Sequence, residues 1–184
     1  GLHFPSVTLV GILNADLGLH LPDFRAGERC FQLLTQVAGR AGRGHLEGEV
    51  VVQTFTPQSP CIQFARHHDY DGYAEQEFEA RQQFSLPPYT HAVLLHVRSK
   101  HERLAEFTIE NLCQRLRKDL PKGILMSQPN PSPLERAQTL FRYQVMFRCT
   151  QATTMARYIK GVMKGMTFPE EVIVILDVDP FQIC

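Results

Sequence analysis

Apolar residues in this chain come in short unbroken runs and in helical repeats, which alternate from one end to the other. VTLVGILNAD, Val7 to Asp16, is a β-rich apolar run of strand length and predicts a parallel strand buried on both faces. Asp16 closes it at the carboxyl end, where ligands collect in open α/β sheets; an aspartate there equally suits a turn. Asp23 then stands as a helix cap ahead of Ala26, Cys30, Leu33, Leu34 and Val37, which recur at helical spacing. GEVVVQTF, Gly48 to Phe55, supplies the next strand. The unit is strand, helix, strand, and it reads as part of a larger α/β lobe running to residue 58.

Pro87-Pro88 ends a helical connector over 59–89 and marks a domain boundary. Beyond it, Thr90 to Val97 reads as a strand. Ala105, Ile109, Leu112, Cys113, Leu116 and Leu120 mark a helix face that Pro121 stops. A short strand GILMS and a proline-rich loop, Gln128 to Pro133, lead to a strand from Leu140 to Cys149. A helix then turns Ala152, Met155, Ala156, Ile159 and Met163 inward, and Val172 to Val178 is the last strand. The order βαββαβ over 90–184 predicts a ferredoxin-like α+β domain, an antiparallel sheet with both helices on one face.

Composition narrows the class. The chain has 184 residues, 43% of them hydrophobic, which fits one sizeable soluble domain or two small ones. No apolar stretch approaches the ~20 residues of a membrane span, and no signal peptide is visible. The start at Gly1 suggests a fragment of a longer protein. Five cysteines without C-x-x-C spacing predict reduced, mostly buried thiols and no metal site, which suits the cytoplasm. His67 and His68 are neighbours that point apart on a helix, and read as structural or solvated. Zero net charge hides an asymmetry: 6 basic against 10 acidic residues up to Thr90, and 13 against 9 after it, so the back half is the basic one.

The densest chemistry lies in QVAGRAGR, Gln36 to Arg43. Arg40 and Arg43 lie three apart on a glycine-interrupted turn, and guanidinium groups bind phosphate oxygens bidentately. Gly39 and Gly42 let ligand and backbone approach without a Cβ in the way. The competing reading is a helix that ends at Gly39 with solvated arginines beyond it. In the back half, Arg157, Lys160 and Lys164 fall at i, i+3 and i+7 opposite an apolar stripe. Arg136, Arg142 and Arg148 add charge, and Phe141 and Tyr143 are candidates for base stacking. A basic outer helix face and a core phenylalanine are the plainer alternatives. Glu77 and Arg81, four apart, read as an exposed helix pair.

Q-x-x-G-R-x-G-R resembles motif VI of superfamily 2 helicases, and Gly1-Leu2-His3-Phe4-Pro5 resembles the tail of their motif V, with His3 where many members carry aspartate. PDFRAGER (Pro22 to Arg29), the segment His68 to Tyr89, Arg142-Tyr143-Gln144, and LDVDP (Leu176 to Pro180) extend the resemblance over essentially the whole chain, to the primosomal replication-restart helicases, the PriA family. The resemblance implies that residues 1–58 end the second RecA-like motor lobe. It also implies that Arg40 and Arg43 act as arginine fingers on ATP, with Gln36 coupling the nucleotide site to the lobe interface. Gly39, Gly42, Gly1, His3 and Asp16 would line that nucleotide site.

For the intact protein the resemblance implies ATP- and Mg2+-dependent 3′ to 5′ unwinding of DNA at stalled forks, with Zn2+ held in an upstream region. Partners would be single-stranded and forked DNA, single-stranded-DNA-binding protein and other primosome proteins. DNA contacts would fall on Arg142, Tyr143, Arg157, Lys160 and Lys164. Thr139 and Leu140 depart from the basic or glycine residues usual before that strand. A phosphate loop and an acidic magnesium motif are absent from these residues, so the chain alone is expected to be inactive as an ATPase. A non-enzymatic nucleic-acid-binding module is the alternative.

Overall fold

The computed structural model describes residues 7–42, 48–181 and 183, and the chain divides into two compact units, Gly1–Ala80 and Arg81–Cys184. Gly1, His3 and Arg43 lie outside the described residues.

In the first unit, β1 (Leu9–Ile12) pairs in parallel with β2 (Glu49–Val52), with Leu9 opposite Glu49 and Ile12 opposite Val52. Between them lie a single-turn helix α1 (Asp16–Leu19) and α2 (Ala26–Ala38); after them come α3 (Pro60–Arg66) and α4 (Tyr70–Gln83). The strand expected to be buried on both faces is open on one: Leu9 of β1 is 61% exposed, and Val51 of β2, opposite Gly11 on the same face, is 51% exposed. Parallel strands are buried on both faces only where elements cover both, and here the core packs on the face carrying Ile12 and Val52.

The core of this unit gathers Ala15, Cys30, Phe31, Leu34, Cys61, Ile62, Ala65 and Tyr73. Leu33, expected inward, is exposed, and Phe31 takes the buried place because the inward face of α2 runs through Ala26, Cys30, Phe31 and Leu34. Phe31 stacks on Tyr73 with ring centroids 4.4 Å apart. Asp69 caps α4 by accepting a hydrogen bond from the Gly72 N–H at 2.9 Å, so the aspartate and tyrosines of HDYDGY start this helix and pin it to α2.

The second unit contains β3 (His91–Ser99), α5 (Glu102–Lys118), β4 (Leu125–Met126), β5 (Asn130–Ala137), β6 (Leu140–Cys149), α6 (Ala152–Lys164) and β7 (Val172–Val178). All pairings are antiparallel. Across the sheet the order is β7, β3, β6, and then β4 and β5 in succession along the far edge of β6. The proline-rich stretch read as a loop is thus the start of β5. An edge strand accommodates Pro131 and Pro133 because some of its backbone positions carry no ladder bond, and the register shifts between Pro131 and Arg136.

Helices α5 and α6 pack on one face. Val93, Leu95 and Val97 of β3 and Val145 and Phe147 of β6 meet Ile109, Leu112 and Leu116 of α5 and Met155 and Ile159 of α6. Arg81, expected to be exposed, is buried and donates to the Pro87 carbonyl at 3.4 Å. Cys30, Cys61, Cys113 and Cys149 are free and buried.

Candidate functional site

The arginine loop is built by the end of α2. Gly39 closes the helix, its N–H reaching the Thr35 carbonyl at 3.0 Å, and Arg40 and Ala41 continue with tight turns onto Val37 and Ala38. Gly42 then adopts φ 71°, and its N–H donates to the Val7 carbonyl at 3.0 Å. A Cβ on Gly48 would stand 2.1 Å from the Gly42 nitrogen, so both glycines are required where the loop folds back on the amino ends of β1 and β2. Gln36 is exposed on the last turns of α2, and Arg40 is half-exposed one turn beyond. PDFRAGER fixes the other end of the helix. The Asp23 carboxylate, itself buried, accepts from the Arg25 backbone at 3.0 Å and pairs with Arg25 and Arg29 at 3.1 and 3.2 Å.

Asp16 sits elsewhere. Its carboxylate is 4% exposed and accepts from Phe55 N at 2.8 Å, Thr54 Oγ1 at 3.0 Å and Thr56 Oγ1. The Thr56 hydroxyl, then the Phe55 amide, hold its pKa below the ordinary carboxylate value. These partners follow the carboxyl end of β2, whereas Gly42 is tied to Val7 before the amino end of β1. The five steps from Val7 to Ile12, at about 3.3 Å each, make about 17 Å of strand between those two ends. The structure brings Gln36, Gly39, Arg40 and Gly42 together and leaves Asp16 at the opposite end of the strands.

In the second unit Arg157, Lys160 and Lys164 are exposed along α6, facing away from Met155 and Ile159. Arg136 lies over the Phe141 ring at 5.0 Å. Arg148 Nη1 donates to the Phe84 carbonyl. Tyr143 and Arg142 part company: Tyr143, 9% exposed, lies on the helix-covered face, where burial raises its pKa, while the next residue, Arg142, projects to the other face. On that other face stand two residues that the sequence alone did not single out, His96 and Arg98 of β3. Their signal is the two-residue period of the strand: Val93, Leu95 and Val97 take one face, leaving His96 and Arg98 for the other. Burial, and then the charges of Arg98 and Arg142, lower the His96 pKa, against an opposing pull from Asp177.

The sheet order and the helix-covered face define the second unit as an α+β domain of split β-α-β type. Residues 82–181 match the family described as Primosomal protein N C-terminal domain, and the chain belongs to the PriA family. Along 99% of its length it is 37% identical to the replication restart protein PriA of Bacillus subtilis, covering 23% of that protein. It is likewise 37% identical to the Synechocystis PriA over 100% of its length and 22% of that protein. The Haemophilus influenzae PriA is 34% identical over 98% of the chain and 25% of that protein. The chain therefore spans about a quarter of these relatives. No helix among the described residues is long and apolar enough to cross a membrane.

Proposed function

We propose that the chain is the C-terminal part of a replication-restart DNA helicase, in which the arginine loop serves ATP turnover and the C-terminal α+β domain contacts DNA. The observation that carries this reading is the turn that ends α2: Gly39 closes the helix, Arg40 follows it half-exposed, and Gly42 bends at φ 71° with its N–H tied to the Val7 carbonyl. A guanidinium on this turn, with the second arginine of the motif at position 43 of the sequence, would suit the charge that develops on a transferring phosphoryl group, and Gln36 on the preceding turn would report its loss to the lobe interface. Residues 1–58 would close a RecA-like lobe, with Gly1 and His3 beside the nucleotide. The engaged Asp16 carboxylate would hold the Thr54 to Thr56 turn rather than meet the ligand. ATP, Mg2+ and an upstream Zn2+ belong to the intact protein, as do 3′ to 5′ translocation, the loading proteins and single-stranded-DNA-binding protein. The exposed cations of α6 support DNA contact by the second unit.

In the intact enzyme, Arg40→Ala or Arg43→Ala is expected to lower DNA-stimulated ATP turnover by about 10³-fold or more, without a change in the thermal melt. Near-normal turnover in either variant removes that arginine from the mechanism. Turnover by the 184-residue chain alone would contradict its expected dependence on an upstream phosphate loop.

A further inference from the structure

The face of the second unit's sheet turned away from α5 and α6 carries an unusual concentration of polar groups. Register places His96 opposite Gln144 and Arg98 opposite Arg142, so the four side chains form one cross-strand square on β3 and β6. His96 is 6% exposed. Its Nδ1, the Nε atoms of Arg98 and Arg142, and Gln144 Oε1 are all buried without a hydrogen-bond partner. One further such atom among the described residues, Ser132 Oγ, belongs to the adjoining strand β5, and Ser132 is 1% exposed.

Buried polar atoms are normally satisfied, and like charges directly opposite one another in a sheet destabilise it. Here two guanidiniums face each other, and no carboxylate among the described residues lies within ion-pair distance of either. Asp177, the acidic residue of β7 on this face, is opposite Leu94, one pair removed from His96. The square is therefore short of an anion.

We infer that His96, Arg98, Arg142 and Gln144 form a binding site for a phosphate group of single-stranded nucleic acid, on the sheet face opposite the helices. The inference rests on the proposed DNA contact by this unit, and moves its centre from α6 and Tyr143 to the sheet. The two guanidinium forks supply charge and paired donors, and the imidazole and the amide offer further hydrogen-bonding atoms around the same point. The bridging and non-bridging oxygens of a phosphodiester take up more donors than a single side-chain carboxylate does. Ile173, opposite Arg98 and 47% exposed, gives apolar surface beside the square for a sugar or base.

The test uses the 184-residue chain with a labelled oligothymidylate, followed by anisotropy at several salt concentrations. Arg98→Gln with Arg142→Gln is expected to weaken binding at least tenfold, and to reduce the logarithmic salt slope by about 0.7 for the one phosphate no longer neutralised. His96 ring resonances of the unaltered chain should shift on addition of the oligonucleotide, and in the same direction with inorganic phosphate. Unchanged affinity and slope in the double variant overturn the site. So does an unmoved His96 ring at saturation, a readout that holds even if the double variant misfolds. If binding instead depends wholly on Arg157, Lys160 and Lys164, DNA contact stands and the sheet site falls. If a labelled acidic peptide, and not the oligonucleotide, requires the square, the occupant is a protein and the inference is wrong. Absence of any oligonucleotide binding overturns both readings.

Discussion

Asp16 illustrates how far a single side chain's role is set by residues distant in sequence. Its position after an apolar run fits both a ligand contact and a turn, and nothing nearby separates the two. The deciding groups, Thr54, Phe55 and Thr56, lie about forty positions on, and they meet it only because β2 pairs in parallel with β1. Asp16→Asn is expected to lower the melting temperature of the chain at neutral pH. The sign with pH follows from the depressed pKa. The carboxylate contributes its full stabilisation above its ordinary value of 3.8, and that contribution disappears as pH falls through the lower folded value. Melts of the two forms should therefore differ by a constant amount above pH 3.8 and draw together as the pH is lowered below it; a difference that does not shrink in acid would count against the assignment. The same distance effect hid His96 and Arg98, whose chemistry becomes visible only when register sets them against Gln144 and Arg142.

At the level of elements, periodicity is a good guide wherever a helix or strand faces a core on one side. The inward residues of α5 and α6 fall where the 3.6-residue repeat puts them, because Ala105, Ile109, Leu112 and Leu116, and Ala152, Met155 and Ile159, are buried by one sheet. Phe147, fully buried between that sheet and the helices, gives the corresponding prediction: Phe147→Ala should cost about 3–5 kcal/mol in a denaturant titration. A cost under 1 kcal/mol would mean the core is not packed this way. What periodicity misses is β5, since its prolines and mostly exposed side chains imitate a loop. Its turn into β6 is also sequence-atypical. Gln138 and Thr139 adopt φ 50° and 70°, and left-handed backbone strains a β-branched residue where Asn-Gly would adopt it freely. Gln138→Asn with Thr139→Gly is expected to raise stability by about 1 kcal/mol, read as a higher urea midpoint at unchanged slope. A lower midpoint would refute the strained-turn account.

Over the whole molecule, zero net charge conceals an acidic front up to Thr90 and a basic back after it. Charge counting locates the basic half but does not say which surface matters, because cations occur on α6 and across the sheet's opposite face alike. Replacing Arg157, Lys160 and Lys164 together by alanine should flatten the salt dependence of oligonucleotide binding, by up to about 0.7 in logarithmic slope for each phosphate left unneutralised, with the thermal melt preserved. An unaltered slope would make α6 an ordinary solvated surface. The last sequence motif, LDVDP, acts at this scale as well. Asp179, at φ 49°, accepts from Ala92 N at 3.2 Å while its own N–H reaches the Ala92 carbonyl at 2.8 Å, and its carboxylate lies 2.8 Å from His91 Nδ1. The strand that enters the second unit and the strand that leaves it are thus fastened side by side at one corner. A unit whose entrance and exit coincide is topologically a closed ring with one cut, and moving the cut should leave it standing. Joining Asp179 to Thr90 through a short linker, and opening new termini at the exposed Gln138-Thr139 turn, would give a circular permutant with the same sheet.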